Sequence, residues 1–385
     1  MTVEYLDDEA RKWIRYEDGN YEPVRLDGNL LNKRRGPGIP DWWVVDMPRA
    51  WSPERNGYTW QDNHPSGPLT ARRDAAALPE ILLSRNDQGR IVKRILTVQG
   101  RMRDYDYSYD DQDRLTGVRC NGHPCEWYWY DADDRRSMDM MPGEEGAKRH
   151  FEYNTDNRLL RAGTATFEHD RFGFRSAMIN ALGRTEYRYA PDYRLECVIL
   201  PGGTRIEYQY DGEDMPCAKF VNGRLLEEYC WLDMARPASF HNGGMQHTLL
   251  YQNGERLPYA LSFDLGFLYL RYDQVGSLIS VANDKGAVIK YIEYDSFGNV
   301  LKDTNPALRI PLGFAGGLHD PHTGLVRFGW RDYDPDTGRW TAKDPMQPAG
   351  QEPHTYDYDL GDPVNISEEE LNDKTAFETD SFPRK

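Results

Sequence analysis

The sequence predicts an all-β protein: repeated β-hairpins that form a curved or spiralling sheet, behind a less regular N-terminal region. Three observations carry this. A tyrosine-rich unit recurs about every 20 residues. Aromatic and polar residues alternate within it. Turn-forming Asp, Asn and Gly follow it.

The unit is an aromatic, any residue, a second aromatic and then Asp. It reads Tyr107-Ser-Tyr109-Asp110 with Arg114-Leu115, then Tyr128-Trp129-Tyr130-Asp131 with Arg135. It continues through Phe151-Glu-Tyr153-Asn154, Phe167-Glu-His169-Asp170, Tyr187-Arg-Tyr189, Tyr208-Gln-Tyr210-Asp211 and Tyr229-Cys-Trp231. Further copies stand at Tyr272-Asp273 and Tyr294-Asp295. The second aromatics fall at 109, 130, 153, 169, 189, 210 and 231. That period fits one hairpin per repeat, with two strands of about five to eight residues and two turns. Alternation puts both aromatics of Tyr-x-Tyr on one face of the strand. In the Asp-x-x-Gly that follows, Asp accepts from nearby backbone amides and Gly supplies positive φ. The hairpin array is expected over residues 81–310. Such repeats bury their faces only by stacking on neighbours.

Composition agrees. The 385 residues include 25 Tyr, 10 Trp and 13 Phe, although mean hydropathy is −0.80. Disordered chains are poor in aromatics, so the chain is expected to fold. The net charge of −16 argues against nucleic-acid binding over the whole surface. Five cysteines, Cys120, Cys125, Cys197, Cys217 and Cys230, are too few and too odd for a disulfide framework and favour a reducing compartment. The first residues lack a basic segment followed by an apolar one, and no apolar run reaches membrane-spanning length. The expectation is therefore cytoplasmic synthesis without a signal peptide or membrane insertion, with any export left to a specialised secretion system.

Residues 1–80 read as a separate cap or plug region, irregular, with a short helix over Asp8–Ile14. Residues 368–385 read as a charged, solvated tail. Between them, residues 311–367 hold the densest motif. Its strands are punctuated by two Asp-Pro-x-x-Gly turns, at Asp320–Gly324 and Asp334–Gly338, in which Asp caps, Pro fixes φ and Gly closes.

This stretch resembles the Rhs-repeat-associated core domain. The matching residues are Gly313-Phe314, Gly316-Gly317, Asp320-Pro321, Thr323-Gly324-Leu325, Arg331-Asp332-Tyr333-Asp334-Pro335, Gly338-Arg339-Trp340 and Asp344-Pro345. The repeats upstream resemble YD repeats, so the Rhs/YD-repeat resemblance covers roughly residues 85–367. It implies a β-sheet ribbon curling into a hollow shell, in many members around a C-terminal toxin. It also implies an end that curls inward and self-cleaves by aspartyl-protease chemistry. The residues implied are Arg331 and Asp344, with Asp332 or Asp334 helping. One carboxyl would serve as base and another as acid, and an Arg would orient them.

The sequence departs from the family pattern at the cut. Asp362-Pro363-Val364-Asn365 is kept, but Glu368-Glu369 stands where the family has Asp-Pro, and the Gly-Leu is lost. Residues 368–385 are too short a stretch for a toxin domain. The first expectation is therefore a structural shell segment of a bacterial secretion-linked toxin system. About ten hairpins make a small wall with two bare edge strands, so a partner or toxin-bearing chain is expected to complete it. A self-trimming protease is a second reading, with Arg331, Asp332 and Asp344 as catalytic residues. A third is a binding module whose aromatic rows contact carbohydrate or protein.

No cofactor or metal is expected. Cys120-Asn-Gly-His-Pro-Cys125 has metal-ligating residue types, but Asn121-Gly122 is a standard hairpin turn and no second ligand pair follows. Trp127-Tyr128-Trp129-Tyr130 reads first as cross-strand packing. No Ser or Cys nucleophile pairs with a His in a known motif, and no glycine loop for phosphate is present.

Overall fold

The structure, a computed structural model, describes residues 79–140, 148–252, 255–263, 266–343, 356–358 and 361–365, together with four N-terminal strands. Three of those strands, β1 (Val3–Leu6), β2 (Lys12–Arg15) and β3 (Tyr21–Val24), form a small antiparallel sheet. The short helix expected over Asp8–Ile14 is thus corrected at its C-terminal half. Lys12, Trp13 and Ile14 are strand, paired with β1 in the register Tyr5↔Trp13, as suits aromatic and β-branched residues.

From β5 (Glu80–Arg85) to β26 (Val300–Asp303), twenty-two strands pair antiparallel, each with the next in sequence. A short strand, β4 (Trp60–Asp62), pairs parallel to β5, and the strands from β4 to β26 form a closed ring. The sheet curves, as expected. Where two bare edge strands were expected it closes on itself, and closure leaves no edge.

Every repeat ends its first strand on the second aromatic. Tyr109 ends β7 (Arg101–Tyr109), Tyr130 ends β9 (His123–Tyr130), Tyr210 ends β17 (Arg205–Tyr210) and Trp231 ends β19 (Arg224–Trp231). The aromatic then bonds back to the carbonyl of the residue that opens the preceding strand. Tyr109 Oη donates to Ile91 O at 2.7 Å, Tyr130 Oη to Leu115 O at 2.8 Å, and Tyr153 Oη to Arg136 O at 2.7 Å. Tyr210 reaches Leu195 O at 2.7 Å, Trp231 Nε1 reaches Pro216 O at 2.8 Å, and Tyr251 reaches Pro237 O at 2.8 Å. The other ring of the pair, such as Tyr107, Tyr128 or Tyr208, is buried on the same inner face.

The turn is set by the next residue. Asp110 Oδ1 accepts from Gln112 N at 3.0 Å and Arg114 N at 2.9 Å. Asp131, Asn154, Asp170, Asp211, Asp273 and Asp295 do the same for their own loops. The fourth loop residue takes positive φ. The expected glycine fills that place at Gly173, Gly276 and Gly298, but Asp113, Asp134, Asn157 and Asp214 fill it elsewhere, at φ between 57° and 65°. Asp and Asn tolerate this region because their short side chains bond locally.

The arginine after the loop rivets one repeat to the next. Arg114 pairs with Asp110, reaches Asp134 of the following loop at 2.7 Å and lies 4.5 Å from the centre of the Tyr130 ring. Arg194 repeats this with Asp214 and Tyr210. The opposite ends of the hairpins are tight turns. Asn121 (φ 52°) and Gly122 (φ 76°) form the expected one, matching the right-handed twist of the strands.

Tyr153→Phe and Tyr251→Phe each remove one of the tyrosine bonds and leave the ring packing. Each is expected to cost about 1 kcal/mol, read as a lower urea midpoint at unchanged slope.

Candidate functional site

Residues 310–365 are not a further stretch of wall. Leu312, Phe314 and a four-stranded sheet follow the ring, the sheet being β27 (Leu318–His319), β28 (Val326–Phe328), β29 (Arg331–Asp334) and β30 (Arg339–Trp340). Their contacts run round the ring. Asn365 Oδ1 accepts from Ile91 N at 2.6 Å, and Tyr130 Oη reaches Gly361 O at 3.4 Å. Arg339 donates to the carbonyl and side chain of Asn157 at 2.9 and 3.0 Å, and Tyr356 Oη to Gly173 O at 2.9 Å. Tyr333 Oη donates to Phe297 O at 2.8 Å, and Ala315 N to Ser277 Oγ at 3.1 Å. A segment that touches so many strands lies across the ring, at the end where the Asp loops are. It is a plug. Its own core is aromatic: Tyr333 is fully buried, with Tyr358 at 4.4 Å and Phe314 at 5.9 Å between ring centres. Gly338 (φ 67°) closes the Asp334 turn where a Cβ would collide with the Arg136 guanidinium.

Buried charge fixes the plug in place. Arg175 on the wall bonds Asp334 at 2.7 Å, and Lys219 bonds Asp320 at 2.7 Å. Arg309, just before the plug, bonds Glu227 of the wall at 2.7 Å. Asp320 also accepts from Tyr208 Oη at 2.6 Å, and burial is outweighed there by His322 and Lys219, which hold its pKa well below the ordinary range. Both turn aspartates keep their expected capping role as well, Asp320 toward His322 N and Asp334 toward Asp336 N.

Two of the candidate cleavage residues, Arg331 and Asp332, are successive residues of β29 and so point to opposite faces. Arg331 lies over the Trp340 ring at 4.0 Å. Asp332 is buried and bonded through Oδ1 to Arg327 at 2.9 and 3.0 Å. Its Oδ2 has no hydrogen-bond partner, and burial raises its pKa against the pull of Arg327. Asp344, Glu368–Glu369 and the tail lie outside the described residues. Arg327 was not singled out by sequence. The signal was available, because a Gly329-Trp330 turn sets Arg327 opposite Asp332 across the hairpin. Asp332, Asp320, Lys219, Glu227 and Arg309 line a cavity of about 20 Å³, room for about one water.

A second buried cluster joins distant parts of the ring. Glu126 of β9 accepts from Tyr128 Oη at 2.7 Å and from Ser296 N at 3.2 Å. Beside it, Asp295 is pushed up to about 8 by burial and by the Glu126 charge, with Asn299 and Arg136 opposing. Burial raises Glu126 too.

The Teneurin YD-shell family profile matches residues 74–364, which takes in the ring from β5 onward and the plug to Val364. This chain belongs to the teneurin YD-shell family. Mouse and human teneurin-4 are each 28% identical to it over 267 residues, covering 67% of this chain and 10% of theirs. Teneurin-m of Drosophila melanogaster is 27% identical over 232 residues. The chain thus spans about a tenth of the length of the teneurins it matches. The crystal structures of TcdB2-TccC3 and TcdB2-TccC3-Cdc42 are similar in fold, with TM-scores of 0.54 and 0.53. They are 12% and 13% identical and the match covers 93% of this chain and 20% of each solved chain. Residues 74–364 thus have the fold of a YD shell. The tyrosine rows of this shell are its inner packing, with Trp127 and Trp129 half-buried beside them.

The charges of the shell can be tested in two ways. Lys219→Met strands Asp320 without its cation, and is expected to destabilise by about 3–5 kcal/mol; adding Asp320→Asn should recover part of that in a double-mutant cycle. The folded pKa of Asp320 lies below its unfolded value, so its stabilisation is complete above the ordinary aspartate pKa of about 3.9 and lost as pH falls through the folded value. Asp295 has the opposite sign. Its folded pKa is raised, so stability falls as pH rises from about 4 toward 8. Glu126→Gln removes the opposing charge and is expected to shrink that fall, measured as urea midpoints at acid and mildly alkaline pH.

Proposed function

We propose that this YD shell is one wall-and-plug segment of a larger encapsulating assembly in a bacterial secretion-linked toxin system, and that a toxin-bearing or shell-completing chain binds it. The observation that carries this reading is the plug. A segment anchored by buried ion pairs to Arg175, Lys219 and Glu227 closes one end of the ring, as an encapsulating wall requires. The fold it shares with TcdB2-TccC3, a structure whose name joins two components, supports a protein partner. In this reading the chain is made in the cytoplasm and exported by a dedicated machine.

A second reading is favoured by Asp332. A buried carboxyl with a raised pKa and an uncommitted oxygen is a candidate proton donor to a leaving amine as water adds across a peptide bond. Arg327, which holds the other oxygen of Asp332, would orient it, and Asp344 would supply the base.

One preparation tests both. The full-length protein is co-expressed with a candidate toxin-bearing chain, and the purified sample is run through size exclusion, limited proteolysis and intact-mass measurement. A stoichiometric complex in which the partner resists protease is expected. Separate elution, with the partner freely digested, sinks the encapsulation reading. A mass shortfall that Asp332→Asn and Asp344→Asn both abolish would establish self-cleavage, and a full-length mass would dismiss it.

A further inference from the structure

Among the described residues, exposed arginines gather on one rim of the ring and exposed carboxylates on the other. At the end away from the plug, Arg101, Arg119, Arg161, Arg184, Arg205 and Arg224 stand exposed at or beside the tips of successive tight hairpins. Among the described residues Arg101, Arg119 and Arg224 take part in no ion pair. Large apolar side chains sit among them: Leu182 is 83% exposed, and Leu225 and Met245 are also exposed. This mixture of arginine with uncovered apolar side chains is unusual for a solvated turn and suits an interface.

The plugged end is the reverse. Three of its loops, Asp110–Arg114, Asp131–Arg135 and Asp211–Met215, carry three carboxylates each, against one, one and no cation. Arg114, Arg135 and Arg194 are already matched within the loops, each to two carboxylates. Asp87, Asp111 and Glu213 remain exposed and in no ion pair among the described residues. Phe172 is an exposed apolar residue of this rim, at 50%.

Both rims come from the same hairpins, so they share one pitch. Two strands per repeat, about 4.8 Å apart, put like turns about 10 Å apart along either rim. An arginine rim can therefore meet an aspartate rim tooth for tooth. We propose that the arginine rim docks the aspartate rim of a second copy of this chain, ring on ring and head to tail. Such a contact is heterologous, so it leaves a free arginine rim and a free aspartate rim at the ends of the stack and can extend. A nucleic acid suits the arginine rim less well. Glu168, Glu186 and Glu207 stand directly behind Arg184 and Arg205 and pair with them, so a phosphate backbone would meet carboxylates there. The proposal rests on the reading of the chain as a segment of a larger wall, and names how segments join.

The test uses the full-length protein alone, with no toxin chain. Sedimentation is followed across concentration at about 0.02 M and about 0.5 M salt, because exposed ion pairs are individually weak and screened. Mass should grow with concentration at low salt and return to monomer at high salt. Two variants with no internal ion pair to break sharpen this. Arg101→Glu/Arg119→Glu/Arg224→Glu turns the arginine rim acidic, and Asp87→Lys/Asp111→Lys/Glu213→Lys cancels the acidic excess of the other rim. Each should be monomeric alone, and an equimolar mixture should associate, which also shows that both are folded. A wild-type protein that stays monomeric at low salt overturns the proposal, as does association that strengthens with salt. Binding of a duplex oligonucleotide without self-association, lost in the arginine variant, overturns it in favour of a polyanion. None of these outcomes touches the plug or the toxin-chain complex, whose failure would show separately in co-elution.

Discussion

One carboxylate oxygen that accepts two backbone amides, repeated at the same end of hairpin after hairpin, is the constraint on which the rest of this shell depends. It ends one strand on a tyrosine and starts the next on a fixed register. Both rings of the repeat then fall on the inner face, and the terminal hydroxyl reaches the carbonyl that opens the strand before. The arginine after the loop finds the next loop and the next tyrosine at hand. No single contact of this set is strong. Their repetition builds a long antiparallel sheet whose far end meets its own beginning.

Much of this was legible in the residues. Tyr107-x-Tyr109-Asp110 and its copies announced hairpins, a common face and Asx-capped loops, because those depend on neighbours within about five residues. Asn121-Gly122 announced its turn for the same reason. What was not legible depended on distance. Closure of the ring joins residues near 60 to residues near 300, and no local pattern says whether a curved sheet spirals or closes. The helix expected near Trp13 failed because Lys12–Arg15 pairs on both sides, with Val3–Leu6 and Tyr21–Val24, which adds to the strand preference of Trp13 and Ile14. At the candidate site, Arg331 and Asp332 were brought together only by the family resemblance. Strand geometry separates adjacent residues, and the true partner of Asp332 is Arg327, five residues back across a hairpin.

The plug interface is polar where a core is usually apolar. Arg175–Asp334, Lys219–Asp320 and Arg309–Glu227 are buried pairs, and pairs of this kind add little net stability because desolvation offsets attraction. They are costly to mismatch, however. A plug rotated or shifted inside the ring would leave several charges buried alone. An apolar lining of the same tyrosines would tolerate many settings. The charges therefore select one seat for the plug, and the unpartnered Oδ2 of Asp332 is a place where even that seat leaves a polar atom unsatisfied.

The bonds from Ile91 N to Asn365 and from Arg90 to Asp362 span 274 and 272 residues of chain. They impose an order of events at synthesis. The strands near residue 90 leave the ribosome long before their partners exist, and the inner tyrosine face of a half-built arc has nothing to cover it. Contacts of such sequence separation form late and slowly, and an incomplete arc shows both a bare edge and an aromatic face to its neighbours. The nascent protein is thus most exposed to misassembly just before residues 310–365 appear, and a chaperone that shields open sheets would matter more to its yield than to its final stability.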